Sequence, residues 1–475
     1  MPGITGYATY VPCYRLDRAD AAAAVGEKAK GTRAVAGYDE DTTSMAVEAV
    51  RPALLMAAGR TPDSVWFATT DPAYVDKTNA TTVHAALGLP ESAGAFDLGA
   101  SVRSGAAALL AASKTSGIAA LSDIRGGLAG GPDERLSGDA AAAFVFGDND
   151  VVAELIGSAS ASVEFLDRWR LPGEAGSRTW EERFGEGEYV KAADHAVADV
   201  LKGANLAPGD VDAVGVAGPN LRAVKVVAGS LKRQSGADGD STDLLDLVGN
   251  AGAAHVGLVL ADLLDKAAPN QLLLLVSLAD GADAFLFRTT DRLPGARGAS
   301  LRDGLSASRP LLYPTYLLWR GLLDREPPRR PDPVRPSAPF AERNSDYKFA
   351  FSGGTCRSCG TVQFPLPRVC LRCRSVDQFD HISGAGLKAT IVTYTVDRLA
   401  FSPSPPLVCA VLDLEVGGRV QIELTDVDPA SVKVGQVVQL TFRRLLTMDG
   451  IHNYFWKARP VVSPEASTGT AEVQV

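Results

Sequence analysis

Four cysteines within eighteen residues, CRSCGTVQFPLPRVCLRC, constrain this chain more than any other feature. Cys356 and Cys359 form one CxxC pair and Cys370 and Cys373 a second, with ten residues between the pairs. A CxxC turn presents two thiolates from one tight bend, and two such turns complete a tetrahedral Zn²⁺ site. The alternatives are a disulfide pair, an iron site or an empty site. Four protein ligands leave no open position for water, so a zinc held here is structural. The question of chemistry moves to the rest of the chain.

That remainder is large. At 475 residues the chain has room for several domains. Net charge is −9, from 47 basic and 56 acidic residues, which argues against nucleic acid as a partner. The start, MPGITGYATYVPCYRL, lacks a basic stretch followed by an apolar core, so no signal peptide is expected. The run LLLLVSLADGADAFLF is broken by Asp280, Gly281 and Asp283, so no membrane span is expected. Only Cys13 and Cys409 lie outside the cluster. Clustered metal-type thiols without a disulfide framework suit a reducing cytosol, and a cytoplasmic location is the expectation.

Up to residue 295 strand-like and helical stretches alternate, which predicts an α/β layered fold. ITGYATYVP reads as an opening strand, SVWFATTD as a short buried strand, and AGAFDLGAS as a strand and turn leading into the small-residue helix SGAAALLAASKT. A weak repeat points to two similar halves, 1–150 and 151–295. GDAAAAFVFGD resembles GADAFLFRTTD, and SGAAALLAAS resembles GAAHVGLVLAD. Chance similarity in an Ala-rich chain is the other explanation. Residues 296–345 hold a short amphipathic segment, YPTYLLWRGLL, and then a Pro/Arg-rich linker, DREPPRRPDPVRPSAPF. The ribbon occupies 346–380. From 381 to 463 the segments ATIVTYTVD, PLVCAVLDLE, RVQIELTDV and QVVQLTFRRL alternate apolar and polar residues, as expected of a small closed barrel of the OB type. Few basic or aromatic residues line these strands, so a protein–protein or acyl-chain role is expected for the barrel in place of nucleic-acid binding. Residues 464–475 read as a flexible tail.

The segments ITGYATYVPCYRL, VAGYDEDTTSMAVEAVRPAL, KTNATTVHAALGLP, WEERFGEGEYVKAADHAVADVLKGANL, DAVGVAGPNLRAVKVVA and LLDLVGNAGAAHVGLVLADLL resemble, in order, the prokaryotic hydroxymethylglutaryl-CoA synthases of the thiolase superfamily. YLLWRGLLDREPPRRP with the cysteine cluster and barrel resembles acyl-CoA-associated proteins in which a rubredoxin-like zinc ribbon precedes an OB-fold. The resemblance implies two stacked βαβαβ halves, a homodimer formed through the first half, a pantetheine tunnel and a buried site for acyl-CoA or an acyl carrier. It also implies Claisen chemistry, in which a Cys carries the acyl group while Glu and His move protons. A separate thiolase or hydratase is the kind of partner that such ribbon–barrel proteins serve.

This chain departs from that pattern at three places. Where the family has its nucleophile motif, the sequence is DLGASVRSG: Asp97 and Gly105 keep the frame and Val102 occupies the Cys position. The Glu position falls on Thr70, with Asp71 next to it, and the His position on Ala217 within AGPN. What remains is Asn220 and Gly249-Asn250. These asparagines are expected to hold a thioester carbonyl or enolate oxygen. His255, after the GNAGAA turn, is either an acid–base group or a packed helix histidine. Asp71 either replaces the lost carboxylate or caps its loop; Tyr74 on the same loop either protonates an enolate or packs. Ser101 and Ser104 flank Val102 out of register. Three functions follow as expectations. One is an aldol or retro-aldol lyase or synthase acting on a CoA thioester, as in steroid side-chain aldolases. The others are a non-catalytic acyl-CoA-binding scaffold and a transferase using serine. The run RGGLAGG (125–131) is expected to be a mobile or tight surface turn and not a phosphate loop, since no Lys-Ser/Thr follows it.

Overall fold

A computed structural model describes residues 2–58, 60–237, 242–296, 300–306, 308–326, 337–400 and 402–461. The linker core, 327–336, and the tail from 462 lie outside the described residues. The chain forms two compact units. The first comprises Met1–Ala36, Met45–Thr81 and Pro90–Leu323; the second comprises Gly37–Ser44, Thr82–Leu89 and Asp324–Val475.

The first unit is built on nine strands: β1 (Gly3–Tyr10), β2 (Ser64–Thr69), β3 (Gly94–Gly99), β4 (Ile118–Asp123), β5 (Ala140–Gly147), β6 (Ala153–Ser162), β7 (Ala213–Ala217), β8 (Leu272–Leu278) and β9 (Gly281–Thr289). Their order in space is β7-β8-β9-β6-β1-β5-β4-β2-β3. The first five strands read 3-2-4-5-1 by chain position. The last four repeat that order with the third place missing. The two halves join through β1 and β6, where Gly3 faces Glu154 and Ile4 faces Ala153. The repeat seen in the sequence is therefore structural, since GDAAAAFVFGD and GADAFLFRTTD supply β5 and β9, the last strand of each half.

Two helices occupy matching places in the halves, α1 (Ser104–Lys114) and α4 (His255–Lys266). Their small side chains let them meet in the main core, where Ala106, Ala108 and Ala112 join Val256, Leu260 and Leu264. Gly105 is obligatory at this crossing, because a Cβ there would run into the Ala253 carbonyl. Two further helices, α2 (Glu182–Gly203) and α3 (Leu221–Ser235), cover the other face of β7, β8 and β9 through Tyr189, Val197, Val224 and Val227. YPTYLLWRGLL contains a short helix, Tyr313–Trp319, whose Tyr313 and Tyr316 are buried with Leu16 and Val35.

The second unit contains a three-stranded sheet, β10 (Ser352–Cys356), β11 (Val362–Gln363) and β12 (Phe379–Ser383), and a closed five-stranded barrel. The barrel strands are β13 (Lys388–Asp397), β14 (Leu407–Leu414), β15 (Arg419–Leu424), β16 (Val437–Met448) and β17 (Ile451–Pro460), in the order β13-β14-β15-β17-β16. β12 runs three residues beyond the ribbon end read from the sequence, since its whole length pairs with β10. Also in this unit, the acidic run Asp39–Asp41 is held by buried cations: Lys457 Nζ lies 2.9 Å from Asp39 Oδ2, and Arg443 Nη2 lies 3.2 Å from Glu40 Oε1. Burial pushes the Asp39 carboxyl up, but Lys457 and Arg443 outweigh burial and hold it below its usual range.

Candidate functional site

The described residues form two candidate sites, a cysteine cluster and a cleft. In the ribbon, the ligand atoms of Cys356, Cys359, Cys370 and Cys373 all lie within 4.8 Å of one another. The Sγ of Cys356 stands 3.6 Å from that of Cys373, and the Sγ of Cys359 stands 3.6 Å from that of Cys370. The Ser375 hydroxyl, then the N–H groups of Ser358 and Cys359, favour the Cys356 thiolate and lower its pKa. Gln363 fixes the second turn: its Oε1 accepts from Leu371 N (2.9 Å) and its Nε2 donates to Cys370 Sγ (3.4 Å).

The cleft lies in the first unit. Val102, Arg125, Asp133, Ser137, Arg168 and Asn250 line it, with Pro132, Leu136, Pro219 and Leu221 as apolar wall. About 360 Å³ of space lies between these residues, open solvent included. Val102 reaches it from the turn before α1, where Ala100 takes a left-handed backbone (φ 80). Arg103 ties that turn to the β8–β9 connection, donating from Nε to Asp283 (2.9 Å) and from Nη1 to the Asp280 carbonyl (2.9 Å). Asn250 enters from the opposite side. Its Nδ2 donates to the Gly218 carbonyl (2.8 Å) and its Oδ1 accepts from Gly252 N (3.0 Å). Gly249 (φ 99) allows this strand-to-strand approach, since a Cβ there would strike the Ser137 carbonyl.

A buried network stands behind the cleft. Thr70 Oγ1 donates to both carboxylate oxygens of Asp123 at 2.9 Å and accepts from Arg125 Nη1 at 2.9 Å. Asp123 also accepts from Thr70 N (3.1 Å) and Ala253 N (2.9 Å). Burial raises the Asp123 carboxyl above the usual carboxylate range, against the opposing charge of Arg125. Thr70, Val102 and Asn250 thus share one neighbourhood, and Ala217 ends β7 just before Gly218 and Pro219.

The other candidates fall differently. Asn220 caps α3, with Oδ1 accepting from Ala223 N (3.1 Å) and Nδ2 donating to the Glu182 carbonyl (3.1 Å), and it is not among the residues that line the cleft. His255 is buried, its Nδ1 facing Ala251 N at 3.5 Å, and burial pulls its pKa down to about 4. Asp71 is pushed up to about 6 by crowding and then by Asp123, although its side chain keeps solvent contact that screens part of this push. Tyr74 is half-buried, its backbone tied to Asn79 by bonds of 3.0 and 2.8 Å. Ser101 is exposed; Ser104 is buried, its Oγ without a hydrogen-bond partner among the described residues.

The segment RGGLAGG is not a mere surface turn. Arg125 is buried in the cleft wall, and Gly127 packs so closely on Asp133 and Glu134 that a Cβ would clash. Arg125, Arg168 and Asp123 went unread in the sequence because only the folded chain brings them to Thr70 and Asn250. An acidic residue closing a buried strand, as in AALSD, was the available signal.

Residues 384–443 match the family described as the ChsH2 C-terminal OB-fold domain. The chain is similar to the hydroxymethylglutaryl-CoA synthase of Methanopyrus kandleri, 31% identical over 316 residues, which are 62% of this chain and 89% of the relative. It is also similar to that of Picrophilus torridus, 30% identical over 349 residues, 68% of this chain and 98% of the relative. Its C-terminal part is similar to a DUF35 domain-containing scaffold protein of Methanocaldococcus jannaschii, 33% identical over 124 residues, 25% of this chain and 87% of that protein. Among solved structures, an HMG-CoA synthase complexed with CoA aligns with a TM-score of 0.56 at 19% identity, covering 66% of this chain and 89% of the other. The curacin-pathway HMG synthase in complex with an acetyl donor acyl carrier protein aligns at 0.58 and 18%, covering 67% and 88%. At these identities the structures speak for the fold alone.

Proposed function

The chain belongs to the hydroxymethylglutaryl-CoA synthase family, with a C-terminal module of the DUF35 family, and on that footing we propose that it works on a CoA thioester without a covalent acyl-enzyme. The chemistry is aldol or retro-aldol carbon–carbon lysis or synthesis. One observation supports this reading: the cleft lined by Val102 and Asn250 holds no Cys, Glu or His among its lining residues.

In the cleaving direction a base takes the β-hydroxyl proton. The Cα–Cβ bond breaks, its electron pair passes to the thioester as an enolate, and the β-carbon leaves as an aldehyde or ketone. The enolate carbon then takes a proton, leaving a shortened acyl-CoA. Asn250 serves as the oxyanion donor through the amide hydrogen that Gly218 does not use. Asp71, next to Thr70 and outside the residues that line the cleft, is the carboxylate assigned as base. His255, neutral at ordinary pH, accepts a proton only from a stronger acid. Serine acylation fits less well, because Ser104 Oγ has no base within hydrogen-bond reach among the described residues.

The ribbon holds structural Zn²⁺ through Cys356, Cys359, Cys370 and Cys373. Zinc–thiolate bonds of about 2.3 Å place tetrahedral sulfurs about 3.8 Å apart, close to the 3.6 Å seen here. The zinc supplies folding energy and no open coordination site. The ligand is acyl-CoA or an acyl carrier; the aligned synthases hold CoA in one case and an acetyl donor acyl carrier protein in the other. A homodimer forms through β3, which among the described residues has no strand on its outer edge and leaves Phe96 47% exposed. A cytoplasmic setting suits four reduced thiols. A second reading, a non-catalytic scaffold for a thiolase or hydratase, is favoured by the scaffold relative of the C-terminal module.

The test is to incubate the full chain with β-hydroxyacyl-CoAs and measure carbonyl release. Release that falls with Asn250→Ala supports the lyase. No release, with an intact thiolase co-purifying, supports the scaffold.

A further inference from the structure

Half of the residues that line the cleft, Arg125, Pro132, Asp133, Leu136 and Ser137, come from the single stretch 125–137. Its helix, Pro132–Leu136, is too short to hold its own geometry. The stretch is anchored from behind, by the helix Tyr313–Trp319 and the residue after it, Arg320. The Tyr313 hydroxyl donates to Glu134 Oε1 (2.9 Å), and Glu134 Oε2 accepts from Gly130 N (2.7 Å). Arg320 Nη2 pairs with Asp139 Oδ2, which also accepts from Ala36 N (2.8 Å). The other oxygen of Asp139 accepts from Arg125 N (3.0 Å). Arg33 fills the space between the two anchors. Its Nη1 donates to the Glu134 carbonyl (2.8 Å) and the Tyr316 hydroxyl (3.2 Å), and its Nη2 to the Arg125 carbonyl (2.6 Å). Arg33 and Arg320 also stand over the Tyr316 ring, 5.0 and 5.6 Å from its centre. Arg33, Glu134, Asp139 and Tyr316 are fully buried, so water does not replace a bond that is lost among them.

Resting on the reading of the cleft as the reaction site, we propose that Tyr313 and Arg320 are positioning residues of that site. Neither is among the residues that line the cleft, yet together they fix its 125–137 wall against Asn250. They act at different points. Arg320 works through Asp139 on the Arg125 backbone, and so on the guanidinium that Arg125 places on Thr70 Oγ1 (2.9 Å). Tyr313 works through Glu134 on Gly130 and the turn that follows. A wall displaced by about 1 Å takes a bound thioester out of line with Asn250, and misplacement of that size can cost about 10²-fold in rate. The cleft thus takes its shape from a segment that follows the last strand of the sheet.

Hydrogen–deuterium exchange of the full chain, read at single amides, tests this directly, because the bonded amides belong to the wall. Arg320→Gln should speed exchange at Arg125 and Ala36 by about 10-fold more than at the core amides of β8, and Tyr313→Phe should do the same at Gly130. Arg320→Lys, which keeps the charge, should restore part of the protection at Arg125. Unchanged exchange at Arg125 and Gly130 overturns the proposal. A rise in β8 as large as that in the wall also overturns it, assigning the helix to the stability of the whole unit. Carbonyl release, measured where circular dichroism shows each chain folded, gives the second arm. Arg320→Gln should lower kcat by about 10-fold or more, with KM changed less. A purely structural role leaves kcat per folded molecule unchanged, and that result overturns the proposal too. If the wild type releases no carbonyl, the lyase reading fails, while the exchange arm still decides whether Tyr313 and Arg320 hold the wall.

Discussion

The ribbon and the cleft bring reactive groups together in opposite ways. In the ribbon four thiols from one eighteen-residue stretch converge within 4.8 Å. In the cleft Val102, Arg125, Arg168 and Asn250 arrive from the turn before α1, the loop after β4, the segment before α2 and the turn before α4. The ribbon has four cysteines at ligand distance from one another, which as a zinc site would leave no open position for chemistry. The cleft has room, and Val102 is among the residues that line it. A short motif can specify a structural centre by itself, whereas a site assembled from distant elements takes its meaning from the fold.

The largest effect tests the ribbon side of this contrast. Cys356→Ser with Cys370→Ser should lose the metal and unfold the ribbon, a change on the order of 10 kcal/mol for a structural zinc module. Metal analysis of the wild-type chain should give about one zinc. Turnover that rises and falls with metal while the ribbon stays folded would break the contrast, by giving the ribbon chemistry.

On the cleft side, Asp123→Ala removes the acceptor of Thr70 Oγ1 and Ala253 N and leaves Arg125 without its buried counter-charge. Urea unfolding should show a loss of about 3–5 kcal/mol, the range for breaking a buried pair. Asn250→Ala should lower turnover by about 10²-fold or more with the fold retained, as for loss of an oxyanion donor. An unchanged rate would remove Asn250 from the mechanism.

The smallest effect is a pH dependence. The folded-state pKa of His255 is depressed to about 4 from an ordinary value near 6.5, so the folded state favours the neutral ring. Its contribution is complete above about pH 6.5 and is lost as pH falls toward 4. Chemical denaturation at pH 7.5 and pH 5 should show His255→Gln losing less stability on acidification than the wild type. Equal losses would mean that His255 is solvated and open to the cleft.

The legibility of these features follows the same physical line. The layered fold was visible because buried strands and small-residue helices leave local patterns, and GDAAAAFVFGD and GADAFLFRTTD marked the same strand of each half. Four barrel strands showed by alternation, while β17, IHNYFWKARP, did not, since Phe455 between the buried Tyr454 and Trp456 turns the alternation into a continuous aromatic run. Asn250 was placed from the GN turn. Asn220 read as a site group from the same family pattern, yet the structure uses its side chain as the cap of α3. Arg125 was hidden in a glycine-rich run whose local chemistry says turn, because local sequence carries no record of what a loop packs against.

Intact-mass spectrometry of the full chain during incubation with a β-hydroxyacyl-CoA, with carbonyl product measured in the same samples, tests the central claim most directly. The expected result is product release while the protein mass stays unshifted. An acyl adduct on the protein, mapped to Ser101 or Ser104, or no product at all, would contradict it.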